Sequence, residues 1–334
     1  MINIQKYRKY EEVSTKWNEL WNRENEMSVY QSPKYMEIMC NHLLPYRMIL
    51  TAIPEFYVFT ENGKTILIVP MYYSIIKRRY YLLGHKMGCG YLNVIHSCEL
   101  SEKKMEECFE LLKQKYGIKI ISFSRVKENT LLGSMLKKKG CKLNKIPCTE
   151  IQLPKTYDEY FQSLSKKTRQ NIRTAYNRLA RDKHIIEFEC KKYSELKRTE
   201  YDNILDIYIE RQISKYKKYG KRLYGFLVRR FDVGTMVEHS DFLNRIYIIK
   251  IDNEIVAFFD GLSYNSTETI VPRLAISEKY GNYSPGILLI NESIKWAYEN
   301  DAFNSLDLTH GNEFYKKSMG GKEHYCIDDV WKIK

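Results

Sequence analysis

Apolar residues in the first half of the chain fall into two β-rich runs, Phe56–Thr60 and Thr65–Tyr73, separated by Glu61-Asn62-Gly63-Lys64. Both Asn and Gly tolerate positive φ, so the pattern predicts a hairpin. A loop with Gly84, Gly88 and Gly90 follows, then an amphipathic helix near Glu102–Tyr116 and a strand over Ile118–Ser124. The second half repeats that order. Ile246–Lys250 turns through Asp252-Asn253 into Ile255–Ser263, and Asn265-Ser266 turns into Thr267–Ile276. A Gly-containing loop, a helix over Gly286–Asn300 and a strand over Phe303–Thr309 complete the repeat. Two α+β units of similar order predict a duplicated fold, with the join after Pro154: residues 1–153 and 154–334.

The 334-residue length also suits two domains. The longest apolar stretch, Ile66–Tyr73, contains Pro70 and is far short of a membrane span. The polar N-terminus does not read as a signal peptide, so a cytoplasmic protein is expected. Eight cysteines form no C-x-x-C pair, and no Cys/His cluster has metal-ligand spacing. No metal is expected. The net charge of +13 admits a polyanionic partner, and equally a general Lys-rich bias.

The stretch from Ala275 to Ile287 offers the clearest chemistry. A strand runs into a short polar loop that opens onto a helix. Ser284 suits the N-cap and Pro285 the first helical position. Gly286 allows close approach to the backbone. The amides of Gly286, Ile287 and Leu288, with the positive helix end, form an expected anion site. The apolar positions Ile287, Ile290, Ile294 and Ala297 predict the helix face that packs.

Tyr283-Ser284-Pro285-Gly286-Ile287-Leu288-Leu289, followed after the helix by Asp307-Leu308-Thr309-His310-Gly311-Asn312-Glu313-Phe314-Tyr315-Lys316, resembles the CelD-like and FemAB-like branch of the GNAT acyltransferase superfamily. The helix Leu164–Arg173, with Val69-Pro70 and the Gly84 loop, extends the resemblance over nearly the whole chain. The resemblance implies two tandem GNAT-like domains of α+β class, each a mixed sheet flanked by helices. It implies an acyl-CoA co-substrate, acetyl-CoA or another, whose pyrophosphate rests on a helix N-terminus, with Tyr283 and Ser284 beside it. The loop departs from the wider superfamily's Gln/Arg-x-x-Gly-x-Gly/Ala, since Gly281 and Ser284 take the first two defined positions. Some FemAB-like relatives use aminoacyl-tRNA, which is the alternative donor. A non-catalytic RNA- or polyanion-binding module is a further alternative.

Acyl transfer to an amine needs a base, oxyanion donors and a proton for the leaving thiolate. Pro272 cannot donate to a ladder, so it marks an edge or break, and the resemblance implies that Leu274, Ala275 and Ile276 expose backbone there. Asp307 within a strand needs a partner; it orients an amine or caps the Gly311 turn. His310 is the candidate base. The resemblance makes Tyr315 the candidate acid, and Lys316 supplies a charge or is solvated. Arg169 and Arg173 lie four apart on one helix face, where like charges cost about 0.2–0.5 kcal/mol. They either meet an acidic group of the substrate or face solvent. The acceptor class implied is an amino sugar or peptide amine of a cell-surface polymer, with the chemistry in residues 154–334 and no cofactor in the first domain.

Overall fold

The computed structural model describes residues 1–21, 27–43, 53–85, 88–139, 144–216, 225, 241, 243–264 and 267–333. The predicted Asn265-Ser266 turn lies outside them. The chain divides into two compact units, Met1–Pro147 with His324–Lys334, and Cys148–Glu323. The join falls a few residues before Pro154, and the last eleven residues belong to the first unit.

In the first unit the sheet order is β1 (Ile2–Tyr7), β2 (Pro54–Glu61), β3 (Lys64–Ser74), β4 (Arg79–Leu82), β6 (Ile120–Lys127) and β14 (Lys322–Lys332), with β5 (Ile95–His96) also on β3. The β2–β3 turn is the predicted one: Asn62 and Gly63 have φ of 52° and 78°, and Glu61 pairs with Lys64. Helices α1 (Ser14–Leu20), α2 (Pro33–Ile38), α3 (Glu102–Tyr116) and α4 (Leu131–Lys138) accompany this sheet. Phe109 of α3 meets Trp331 of β14 edge-on at 5.1 Å, so the C-terminal strand helps complete this core.

In the second unit the order is β7 (Asn144–Gln152), β13 (Ser305–His310), β11 (Glu268–Ile270), β10 (Glu254–Leu262), β9 (Asn244–Ile251) and β8 (Ile186–Lys192), with β12 (Leu274–Ile276) also on β10. Its helices are α5 (Tyr157–Ser163), α6 (Lys166–Arg181), α7 (Arg198–Tyr216), α8 (Pro285–Asn300) and α9 (Phe314–Ser318). Alternation along β9 sends Tyr247, Ile249 and Ile251 into one core with Leu179 of α6 and Ile290 and Ile294 of α8. Ile246 and Ile248 pack on the other face with Ile204 and Ile207 of α7. Each unit is a mixed sheet flanked by helices. Along α6 Thr168, Ile172, Ala175 and Leu179 form a buried stripe at helical spacing. Along α8 the buried face includes Ile290, Ile294 and Ala297, but Ile287 is only half-buried.

Candidate functional site

The run predicted as one strand from Thr267 to Ile276 is two short strands with different neighbours. β11 pairs in parallel with β13, Ile270 opposite Asp307. Val271 N–H continues that ladder to Asp307 O at 2.8 Å. Pro272 has no N–H to extend it. By Arg273 the chain has left β13 while staying on β10, where Arg273 O accepts from Asp260 N–H at 3.0 Å. β12 and β13 therefore part at the proline.

Which backbone groups face the gap follows from antiparallel alternation. Asp260 N–H to Arg273 O and Ser277 N–H to Val256 O at 2.7 Å flank β12. Ala275, two residues from each, is thus the position bonded to Phe258 of β10. Leu274 and Ile276 turn their N–H and C=O away from β10, towards the gap. Ala275 was expected to share this role. Its backbone is committed to β10 and its side chain is fully buried.

The helix start needs a similar correction. Ser284 takes the left-handed conformation (φ 50°, ψ 50°) and makes no side-chain cap. That conformation brings its carbonyl round to accept from Ile287 at 3.0 Å and Leu288 at 3.2 Å. Of the three amides expected to be bare, Gly286 alone keeps its N–H without an acceptor among the described residues. A Cβ at Gly286 would lie 3.3 Å from Ile276 Cγ2, so the strand end and the helix start meet there. Leu288 is a core residue, fully buried. Tyr283 also leaves the site. Its hydroxyl donates to Asp182 at 3.0 Å and its ring sits edge-on to His184.

The parted strands and the helix start open into one cleft of about 460 Å³. Leu274, Ile276, Ser284, Gly286 and Ile287 line it from one side, and Leu308, Thr309 and His310 from β13. Glu313, Tyr315 and Lys316 close it from α9 and the turn before it, with Tyr208, Arg211 and Gln212 from α7.

Asp307 is fully buried, and its carboxylate accepts from Thr309 N–H at 2.7 Å. Thr309 has a φ of 53°, so this bond holds a strained turn at the end of β13. Asp307 shapes the strand end and is not among the cleft-lining residues. Lys316, expected either to supply a charge or to be solvated, is buried. Its Nζ donates to Leu308 O at 2.9 Å and His310 O at 2.7 Å, and pairs with Glu313 at 3.2 Å. All three ammonium hydrogens are committed. Burial pulls its pKa below the ordinary lysine value, against the pull of Glu313.

Tyr315 is half-buried in the cleft wall. Burial first, then the Glu313 charge, raises its hydroxyl pKa well above the ordinary phenol value, with Arg211 opposing. The group stays protonated at neutral pH. His310 lies in the lining with Nδ1 3.3 Å from Cys148 Sγ.

Arg169 and Arg173 are not in the cleft lining. Arg169 donates to Gln162 O at 2.7 Å and Leu164 O at 2.6 Å, meeting the negative carbonyl end of α5. Arg173 lies over the Phe161 ring at 5.7 Å. The like-charge tension between them is relieved by carbonyl dipoles and an aromatic face. Beside the cleft stands a buried group that sequence reasoning missed: Asp260 accepts from Arg273 and from Tyr193. A carboxylate inside the apolar run Ile255–Leu262 was the available signal, since burial demands a partner.

The fold has counterparts among known proteins. Residues 166–317 match the family model of the acetyltransferase (GNAT) domain. Those residues carry a GNAT-type acetyltransferase domain. The chain is similar in fold to FemX, at a TM-score of 0.62 and 10% identity, covering 98% of this chain and 97% of that one. It is also similar to a tandem GNAT protein from the clavulanic acid biosynthesis pathway, at a TM-score of 0.57 and 7% identity, covering 100% and 99%. At such identities the likeness is one of fold, and the fold is the tandem GNAT arrangement. No curated protein matches the sequence. With a GNAT acetyltransferase domain over residues 166–317, the chain is an N-acyltransferase.

Proposed function

We propose that this N-acyltransferase draws its acyl group from an acyl-CoA, acetyl-CoA being the simplest, and that the second unit performs the transfer to an amine. The observation that carries this reading is the convergence of parted β12 and β13 with the bare Gly286 N–H in one cleft. The diphosphate would rest on Gly286 and the positive end of α8. The amide-bearing arm of the cofactor would follow the free backbone edge of Leu274 and Ile276, one N–H of which faces the developing oxyanion.

The step balances on residues in the lining. The amine nitrogen attacks the thioester carbonyl, the C–N bond forms and the C–S bond breaks. His310 takes the ammonium proton. Tyr315, protonated at neutral pH, gives its hydroxyl proton to the leaving thiolate. Lys316 and Asp307 hold the strand end on which His310 sits and exchange no proton. The first unit carries no cofactor in this reading. An amino sugar or peptide amine of a cell-surface polymer is the acceptor class that family analogy suggests.

A second reading, an aminoacyl-tRNA donor, is favoured by one observation. Gly286 offers a single uncommitted amide, where a diphosphate grip commonly uses several. Thermal unfolding separates the two. With acetyl-CoA at 100 times its dissociation constant, the first reading expects stability to rise by about 2.7 kcal/mol. No shift with CoA or its acyl esters, together with salt-sensitive tRNA binding, overturns it in favour of the second.

A further inference from the structure

One corner of the first unit carries exposed apolar side chains that the fold does not use. The β3–β4 turn places Ile75 and Ile76 in solvent at 64% and 76% exposure. Tyr73, on the strand leading into the turn, is 37% exposed. Ile53, at 58%, belongs to the same corner, because Pro54 pairs with Tyr72 and so brings residue 53 level with Tyr73. Four of the nine large apolar residues exposed in the described structure thus gather at one end of this sheet.

Charge surrounds them. Lys77 and Arg78 are exposed in the same turn, and Arg79 begins β4. Arg79 Nε reaches Lys77 O at 3.3 Å, and none of the three makes an ion pair among the described residues. Arg78 holds a φ of 50° and Lys77 N–H bonds Ser74 Oγ at 3.3 Å, so the turn has a defined shape. The Tyr73 and Tyr80 rings stack obliquely at its base, 5.1 Å apart.

Isolated surface apolar residues need no explanation, but a cluster fringed by unpaired cations and tyrosines matches one kind of surface. An acyl interior beneath anionic headgroups offers isoleucine a place to insert, cations a phosphate layer to face, and tyrosine the boundary between them. A nucleic acid would satisfy the cations and leave the isoleucines in water. We propose that this corner docks the protein onto an anionic lipid surface, with Ile75 and Ile76 as the inserting wedge and Lys77 and Arg78 facing lipid phosphates. No helix among the described residues can cross a membrane, so the attachment is peripheral and reversible.

Co-sedimentation of the full chain with phosphatidylglycerol–phosphatidylcholine vesicles tests this. The protein should pellet with these vesicles and not with phosphatidylcholine alone. Ile75→Ser with Ile76→Ser should weaken partitioning by about tenfold or more. Lys77→Gln with Arg78→Gln should weaken it by about tenfold. Lys166→Gln with Lys167→Gln, which changes the total charge equally on exposed positions of the other unit, should leave it nearly unchanged. Unaltered melting temperatures should show that every variant folds. Three results each overturn the proposal: no pelleting of the unaltered protein, full binding by the isoleucine variant, or equal losses from the two charge-removing variants. Full binding by the isoleucine variant would identify the turn as a general polyanion contact.

Discussion

The two units contain helices that follow a sheet, and their starts differ chemically. At α3 the side chain of Ser101 accepts from Lys104 N–H at 3.3 Å, and Glu102 sits in the first turn, paired with Lys138. Donor and positive pole are both answered from within. At α8, Ser284 gives no side-chain cap, no acid occupies the first turn, and Gly286 N–H stays open. The prolines differ in parallel. Pro70 lies inside an unbroken β3, where the strand's second edge changes partner from β5 at Leu67–Ile68 to β4 at Met71–Ser74, so no N–H is wanted. Pro272 lies instead between the two short strands that share β10, and there the chain leaves β13. One arrangement closes a helix end and keeps a strand whole. The other opens both at the same place.

The comparison can be broken at its strongest point first. Gly286→Glu should weaken acetyl-CoA binding by about a hundredfold or more, by placing a like charge at the proposed diphosphate position. Ser101→Ala with Glu102→Gln should leave that affinity untouched and cost about 1 kcal/mol of stability. Calorimetric titration of both variants decides it, and a loss of affinity in the second would erase the contrast. Tyr315→Phe should lower kcat by about a hundredfold with the acetyl-CoA dissociation constant unchanged, read from steady-state kinetics beside titration.

A third prediction concerns what holds α7 against the sheet. Burial alone would raise the Glu200 pKa. The hydrogen bonds from Lys250 Nζ at 2.8 Å and Lys197 N–H at 3.0 Å, with the Lys250 and Lys191 charges, overcome it and bring the value to about 2. A carboxyl depressed in the folded state stabilises above its unfolded pKa near 4.5. That contribution, about 2–3 kcal/mol, should fade as pH falls from 4.5 towards 2. Melting curves of Glu200→Gln should lack this part of the acid loss. The smallest effect should come from Arg169→Ala, about 1 kcal/mol in denaturant unfolding with acetyl-CoA affinity unchanged. A large affinity loss there would return Arg169 to the substrate.

Much of this was legible where one local signal has one structural outcome. Asn62-Gly63 and Asp252-Asn253 both became tight turns with positive φ, and Pro272 broke its strand as its missing N–H requires. The helix over residues 285–300 followed from periodicity. The errors arose where the outcome depends on a backbone angle or a distant neighbour. Nothing in Ser-Pro-Gly announces that Ser284 turns left-handed and satisfies two of three amides with its own carbonyl. Arginine reach is likewise ambiguous, and Arg169 directs its guanidinium at the carbonyls of Gln162 and Leu164. The C-terminal strand pairs with β6 about two hundred residues earlier in the chain, Trp331 opposite Ile121, a register that no local pattern encodes.

Lys316 has a consequence for an enzyme that handles activated acyl groups. A primary amine in the wall of such a cleft is a rival nucleophile, and burial, by favouring its neutral form, would sharpen the rivalry. Two carbonyls and a carboxylate prevent this by keeping all three protons in use, which ties up the nitrogen lone pair. The protein can thus keep a lysine in the wall of the cleft proposed for the reaction without acylating itself there.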